Sequence, residues 1–172
     1  MAGLMIPSIS ELQITDVERV AALMREDFRP EEQPADYAAL HAAGERTVLV
    51  ARAGKALAAY VTLLRRSEYP RFAAAGCPEI NDLFVGQAHR RRGIGRALVR
   101  AAESLAEQRG YERVGIGVWE HGDGAALRLY EDLGYRWDGQ PSRSTPAGSI
   151  RYLVKELAPA ARLEEGEDEQ AA

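Results

Sequence analysis

The sequence predicts one mixed α/β domain, and three observations carry that prediction. Segments with helical apolar spacing alternate with short runs rich in strand formers. The chain has 172 residues, enough for one sizeable core and too few for two ordinary domains. Hydrophobic residues make up 46% and charged residues 28%, the balance of a folded chain rather than a disordered one.

Taken in order, Val17, Val20, Ala21 and Met24 predict a helix over 15–27, with Thr15 or Asp16 as N-cap. A second, shorter helix covers 36–43 and stops at Gly44, in the position of a C-cap glycine. Apolar runs over 46–52 and 56–64, joined by Ala53, Gly54 and Lys55, predict an antiparallel hairpin. Residues 65–78, with Ser67, Pro70, Gly76 and Pro78, read as a loop positioned to cover a pocket. A strand follows over 79–85. Ile94, Ala97, Leu98, Ala101 and Leu105 then mark the inner stripe of a long helix that ends at Gly110. A strand over 114–119 leads to a helix over 124–133, with Ala126, Leu129, Tyr130 and Leu133 on one side and Gly134 as its cap. Short strands over 135–138 and 150–156 flank a Pro, Ser and Gly-rich loop. The domain thus spans 1–157, and the acidic stretch 158–172 lacks apolar periodicity and reads as a disordered tail.

Between the strand over 79–85 and the long helix lies the one strongly basic cluster of a chain whose net charge is −4. The first N–H groups of a helix lack intrahelical partners and sit at the positive end of its dipole, so they can donate to phosphate oxygens. Gly93 and Gly95 keep side chains from holding the backbone away, and Arg90, Arg91, Arg92 and Arg96 add charge around the same point. Such a loop suits a pyrophosphate; a tight turn with a solvated basic face is the alternative for the loop by itself. It lacks the Gly-Lys-Ser/Thr ending of an ATP-type phosphate loop, and Leu98 replaces the third glycine of a dinucleotide fingerprint.

Arg90-Arg91-Arg92-Gly93-Ile94-Gly95 resembles the acetyl-CoA loop Arg/Gln-x-x-Gly-x-Gly/Ala of the GCN5-related N-acetyltransferase (GNAT) family. Leu129-Tyr130-Glu131-Asp132-Leu133-Gly134-Tyr135 is similar to that family's later Leu-Tyr-x-x-Leu-Gly-Phe. Two motifs in the family's order are far more specific than either alone. The resemblance implies a mostly antiparallel mixed sheet flanked by helices, in which the strand ending at Val85 splays from the strand ending near Trp119. It also implies acetyl-CoA as cosubstrate: pantetheine in the gap, main-chain groups of Leu83, Phe84 and Val85 on its amides, and 91–97, including Ile94 and Ala97, on the pyrophosphate.

Acetyl transfer to an amine needs a neutral nitrogen, a polarised carbonyl and a proton for the departing thiolate. The resemblance points to Glu79 as base, acting through water, with an exposed strand-start carboxylate as the alternative. Strict alternation puts Glu79 on one face with Asn81, Leu83 and Val85, and Asp82 on the other. Tyr130 corresponds to the general acid, although its place on the apolar stripe also suits a core tyrosine. Asp123 replaces an asparagine common in similar sequences; it can still cap the following helix but cannot donate as an amide would.

Cys77 and His89 lack partners for a nucleophile or a metal site, and His121 is a candidate second base set against the commoner solvated loop histidine. The reading is therefore metal-free. One cysteine, no basic leader and no long apolar run predict a cytoplasmic protein without membrane partners. The acidic background and missing stacking surface argue against nucleic acid. The expected acceptor is a primary amine of a small molecule or peptide, in a pocket built from the N-terminal helices and from 65–78 and 139–149. A non-catalytic acyl-CoA sensor is the competing reading, and a homodimer stays open.

Overall fold

The structure, a computed structural model, describes residues 7–26, 34–122 and 124–158. Among these, eight strands form one sheet: β1 (Ser8–Glu11), β2 (Arg46–Ala53), β3 (Ala56–Leu64), β4 (Glu79–Val85), β5 (Arg113–Trp119), β6 (Arg136–Trp137), β7 (Arg143–Thr145) and β8 (Gly148–Glu156). The strand order is β1-β2-β3-β4-β5-β8-β6, with β7 also on β8, and only the β4–β5 pairing is parallel. Helices α1 (Val17–Glu26) and α2 (Pro34–Ala42) cover one face, and α4 (Ile94–Gln108) and α5 (Ala125–Asp132) the other. The short helix α3 (Pro70–Ala74) lies on the α1–α2 side. This is the mixed α/β order that the sequence predicts, in the mostly antiparallel sheet flanked by helices that the resemblance implies.

Alternation along β2 and β3 divides the core between the two faces. Val48, Val50 and Tyr60 pack with Val20, Met24 and Tyr37, whereas Leu49, Val61 and Leu63 pack with Leu98, Val99 and Ala102 of α4. The buried stripe of α4 is centred on Leu98, Ala102 and Ala106, so Ala97, Ala101 and Leu105 lie at its margin. A third cluster, Tyr69, Phe72, Cys77 and Tyr152, packs α3 onto β5 and β8.

Several elements depart from the sequence reading. The exposed edge strand β1 has one inward residue, Ile9, too short a pattern to signal a strand. Pro70, read as a loop marker, opens α3 from its first turn, where the missing N–H is not needed. A 3-10 turn over Ile14–Asp16 precedes α1, so neither Thr15 nor Asp16 caps it. The buried Asp16 carboxylate instead accepts from the Gln13 N–H at 3.0 Å and the Arg52 guanidinium at 2.7 Å. Asp27, Asp123 and the predicted tail beyond Ala158 lie outside the described residues.

The alternation predicted for β4 also fails. Asn81 pairs Thr62 and Phe84 pairs Tyr60, which puts an extra residue into β4 between them. Asp82 absorbs it at φ 52°, and the face inverts there. Phe84, not Leu83 or Val85, therefore shares the face of Glu79 and Asn81, and Leu83 and Val85 pack toward α4.

At Gly115 an added Cβ would lie 2.1 Å from the Phe72 ring, itself held edge-on by Tyr69 and Tyr152. At Gly95 the nearest atom would be an ordinary 3.6 Å away. Urea denaturation should therefore show Gly115→Ala destabilised by about 1–3 kcal/mol. Gly95→Ala should match or exceed the parent by up to about 1 kcal/mol, since alanine favours the helix.

Candidate functional site

β4 and β5 are bonded only through Glu79–Gly115 and Ile80–Ile116. Beyond those two positions each is held by its outer neighbour: β3 follows β4 to Val85, and β8 follows β5 to Trp119. The Asp82 bulge marks the divergence, pinned by the Tyr37 hydroxyl at 2.7 Å and by Arg46 at 3.3 Å. The gap opens a cleft of about 500 Å³. Asn81, Leu83, Gly117 and Val118 form its strand walls, and Glu79, Tyr130, Trp119, His121, Arg143 and Tyr152 add polar and aromatic side chains to its lining.

The phosphate-loop candidate closes one end of β4. Gly93, at φ 77°, turns the chain into α4, and Arg91 also adopts a left-handed φ of 61°. Residues 90–93 are exposed. The Ala97 N–H donates to the Gly93 carbonyl at 3.0 Å, leaving the N–H groups of Ile94, Gly95 and Arg96 as the unpaired first turn. Gly95 sits against Val85 and Leu83, so the turn packs onto the diverging strand. Two predicted contact groups are already engaged: the Ala97 amide, and the Val85 carbonyl, which accepts from Arg90 Nε at 2.9 Å. Arg90 also lies over the Phe84 ring, and Arg96 pairs with Asp132 at 3.3 Å. Arg91 and Arg92 have no carboxylate within 4 Å among the described residues, so their charge remains available to an anion.

Glu79 and Tyr130 reach the cleft from opposite faces of the sheet. Glu79 is buried rather than exposed, and its carboxylate accepts from the Ser67 hydroxyl, which in turn accepts from the Tyr69 N–H at 2.9 Å. Burial raises its pKa above the usual carboxylate range, against the Ser67 hydrogen bond, and the nearby Glu68 and Asp82 push the same way while Arg143 opposes them. Tyr130 packs in the α4-side core, its ring 6.0 Å from Tyr135, yet lines the cleft. Burial lifts its phenol to about 12. This tyrosine thus belongs to the core and to the cleft wall at once.

Sequence reasoning flagged the segments 65–78 and 139–149 but not the residues Ser67, Tyr152 and Arg143 that they and β8 bring to Glu79. Tyr69 stacks on Tyr152 at 3.7 Å, and its hydroxyl donates to Asp138 at 2.8 Å, which fastens the first segment to β8. Among the described residues, the N-terminal helices do not line the cleft and bear on it through Tyr37 on Asp82. Cys77 is buried beneath α3, outside the cleft, with its thiol pushed up to about 11 by burial. No cluster of three or more metal-ligating residues occurs among the described residues, and no helix there is long and apolar enough to cross a membrane.

The model of the acetyltransferase (GNAT) family matches residues 17–135. A mycothiol acetyltransferase from Amycolatopsis mediterranei is 31% identical over 124 residues, covering 70% of this chain and 36% of its own length. N-acetyltransferase family 8 member 3 of Rattus norvegicus is 40% identical over 83 residues, 44% of this chain and again 36% of the relative. The chain thus spans about a third of these relatives. Among solved structures, the ribosomal-protein-S18-alanine N-acetyltransferase of Escherichia coli superposes with a TM-score of 0.70 at 18% identity, over 92% of this chain and 98% of the other. An N-acetyltransferase of Thermoplasma acidophilum in complex with coenzyme A gives 0.71 at 16% identity, over 89% and 100%. At such identities the likeness concerns the fold.

A carboxyl group whose folded pKa is raised contributes stability that is present below its unfolded pKa and lost as pH rises through the folded one. Glu79→Gln removes that loss. Denaturation midpoints at pH 7.5 should therefore rise in the variant relative to the parent, with the difference shrinking toward pH 4.

Proposed function

Because the chain belongs to the acetyltransferase (GNAT) family, we propose that it transfers the acetyl group of acetyl-CoA to a primary amine. The observation that carries the reading is the cleft between β4 and β5, whose pairing stops after two residues, with the exposed loop 90–93 leading into α4 beside it. Acetyl-CoA supplies the activated acetyl group as a thioester. The residues present fit it: the amides of Ile94, Gly95 and Arg96 with Arg91 and Arg92 suit a diphosphate, and the unpaired inner edge of β4 near Leu83 and Phe84 suits the pantetheine amides.

An amine of lysine type is mostly protonated at neutral pH, so its nitrogen must lose a proton before attack. Glu79 is the acceptor for that proton. Its raised pKa makes it a stronger base than a solvated carboxylate, while Ser67 keeps the oxygen oriented. Tyr130, protonated throughout the neutral range, donates to the departing sulfur. Relatives are named for ribosomal-protein-S18 alanine in one case and mycothiol in the other, so the acceptor must be argued from this cleft.

Isothermal titration should show acetyl-CoA binding, and a chromogenic thiol reagent should report CoA release across an amine library. Tyr130→Phe should lower kcat by about 10²–10⁴-fold while leaving the affinity for acetyl-CoA unchanged. An unaltered rate would remove Tyr130 from the chemistry. Binding without thiol release from any amine would instead favour the acyl-CoA sensor.

A further inference from the structure

We propose, resting on the acyl-transfer reading above, that the acceptor is an amine bearing an anionic group close to its nitrogen, as in an α-amino acid, and that Arg143 at the mouth of the cleft binds that anion. Arg143, Ile150 and Trp119 lie directly opposite one another across β7, β8 and β5. Tyr152, two residues along β8 and opposite Gly117, shares their face. An ideal Cβ at Gly117 would lie 3.2 Å from Tyr152 Cε1 and 3.5 Å from Glu79 Oε1, so the phenol edge and the carboxylate meet over this glycine. The Arg143 guanidinium interacts with the Tyr152 hydroxyl. Base, phenol and guanidinium thus line the same cleft.

Three further features favour an anion at Arg143. Among the described residues no carboxylate lies within 4 Å of it, unlike the surface arginines that pair with Glu120, Asp132 or Glu156. A guanidinium fork matches a carboxylate or phosphonate with two parallel hydrogen bonds. Glu68 and Glu79 line the same cleft and offer an ammonium partners, while Arg143 is the cation an acid needs, so an acceptor carrying both charges finds a partner for each pole.

The test compares the common amino acids with their carboxamides in the thiol-release assay, using the full chain. The free acids should exceed the amides at least tenfold in kcat/KM. Arg143→Gln should erase that ratio by raising the KM for the acid without moving the KM for acetyl-CoA, and Arg143→Glu should reverse the preference. Arg143 is exposed, and unchanged melting temperatures would confirm that both variants fold. Independently of turnover, N-acetyl amino acids should quench Trp119 fluorescence in a Trp137→Phe background, and Arg143→Gln should abolish the quench. Equal turnover of acids and amides, or a ratio indifferent to Arg143, overturns the anion site while leaving the transferase reading intact. Acetyl-CoA binding without turnover of any amine overturns both.

Discussion

Strands that stop pairing in the middle of a sheet leave a run of backbone N–H and C=O groups facing each other without bonds, and such edges tend to close. β4 and β5 are in that position after Ile80 and Ile116. What holds them apart is distributed over the fold. β3 and β8 secure their outer edges, Tyr37 and Arg46 fix the Asp82 bulge from the α1–α2 side, and Gly95 brings the start of α4 against Leu83 and Val85. Part of the exposed edge is satisfied internally, since Arg90 caps the Val85 carbonyl. The remaining groups are directed into a cleft that needs hydrogen-bonding partners of its own.

The bulge does more than separate the strands. By inverting the face of β4 it sends Leu83 and Val85 toward α4, where they support the helix turn, while Glu79 stays on the opposite face with Ser67 and Tyr152. Tyr130 enters from the α4 side. The two sides of the sheet thus contribute different chemistry to one gap: unpaired amides and arginines on one side, a buried carboxylate beneath aromatic rings on the other. Burying that carboxylate costs free energy that a solvated one would not, and the α3 segment that buries it is fastened by the Tyr69–Tyr152 stack and the Tyr69–Asp138 hydrogen bond.

Features encoded over a few neighbouring residues were legible in the sequence. The glycine-arginine turn, the β2–β3 hairpin and the Leu-Tyr motif each depend on local spacing and occupy the expected places, while the buried stripe of α4 is shifted toward Leu98, Ala102 and Ala106. Strict alternation failed at Asp82 because its left-handed φ is stabilised by Tyr37, 45 residues away, a contact no local pattern announces. Ser67 and Arg143 were missed for the same reason: a serine between charged residues and an arginine in a Ser-rich turn look like ordinary loop residues until β8 and α3 carry them to Glu79. Pro70 misled in the opposite direction, being a helix starter where it was taken for a breaker.

The composition of β5 connects these observations. Val114, Ile116 and Val118 fill the α4-side core, but the alternating positions on the other face are Gly115 and Gly117. Glycine ordinarily weakens a strand, and in a sheet interior it marks close approach by something else. Phe72 fills the space over Gly115, which seats α3 and with it Ser67. Over Gly117 the space is shared by Glu79 and Tyr152 at its margins, and it opens to Arg143. A side chain at Gly115 would therefore displace the segment that holds the carboxylate, whereas one at Gly117 would press on Ile150 and Tyr152, each within 3.2 Å of it, and would reach ordinary contact with the carboxylate at 3.5 Å. The missing side chains of this one strand make room for the packing that orients Glu79 and for the cleft that it faces.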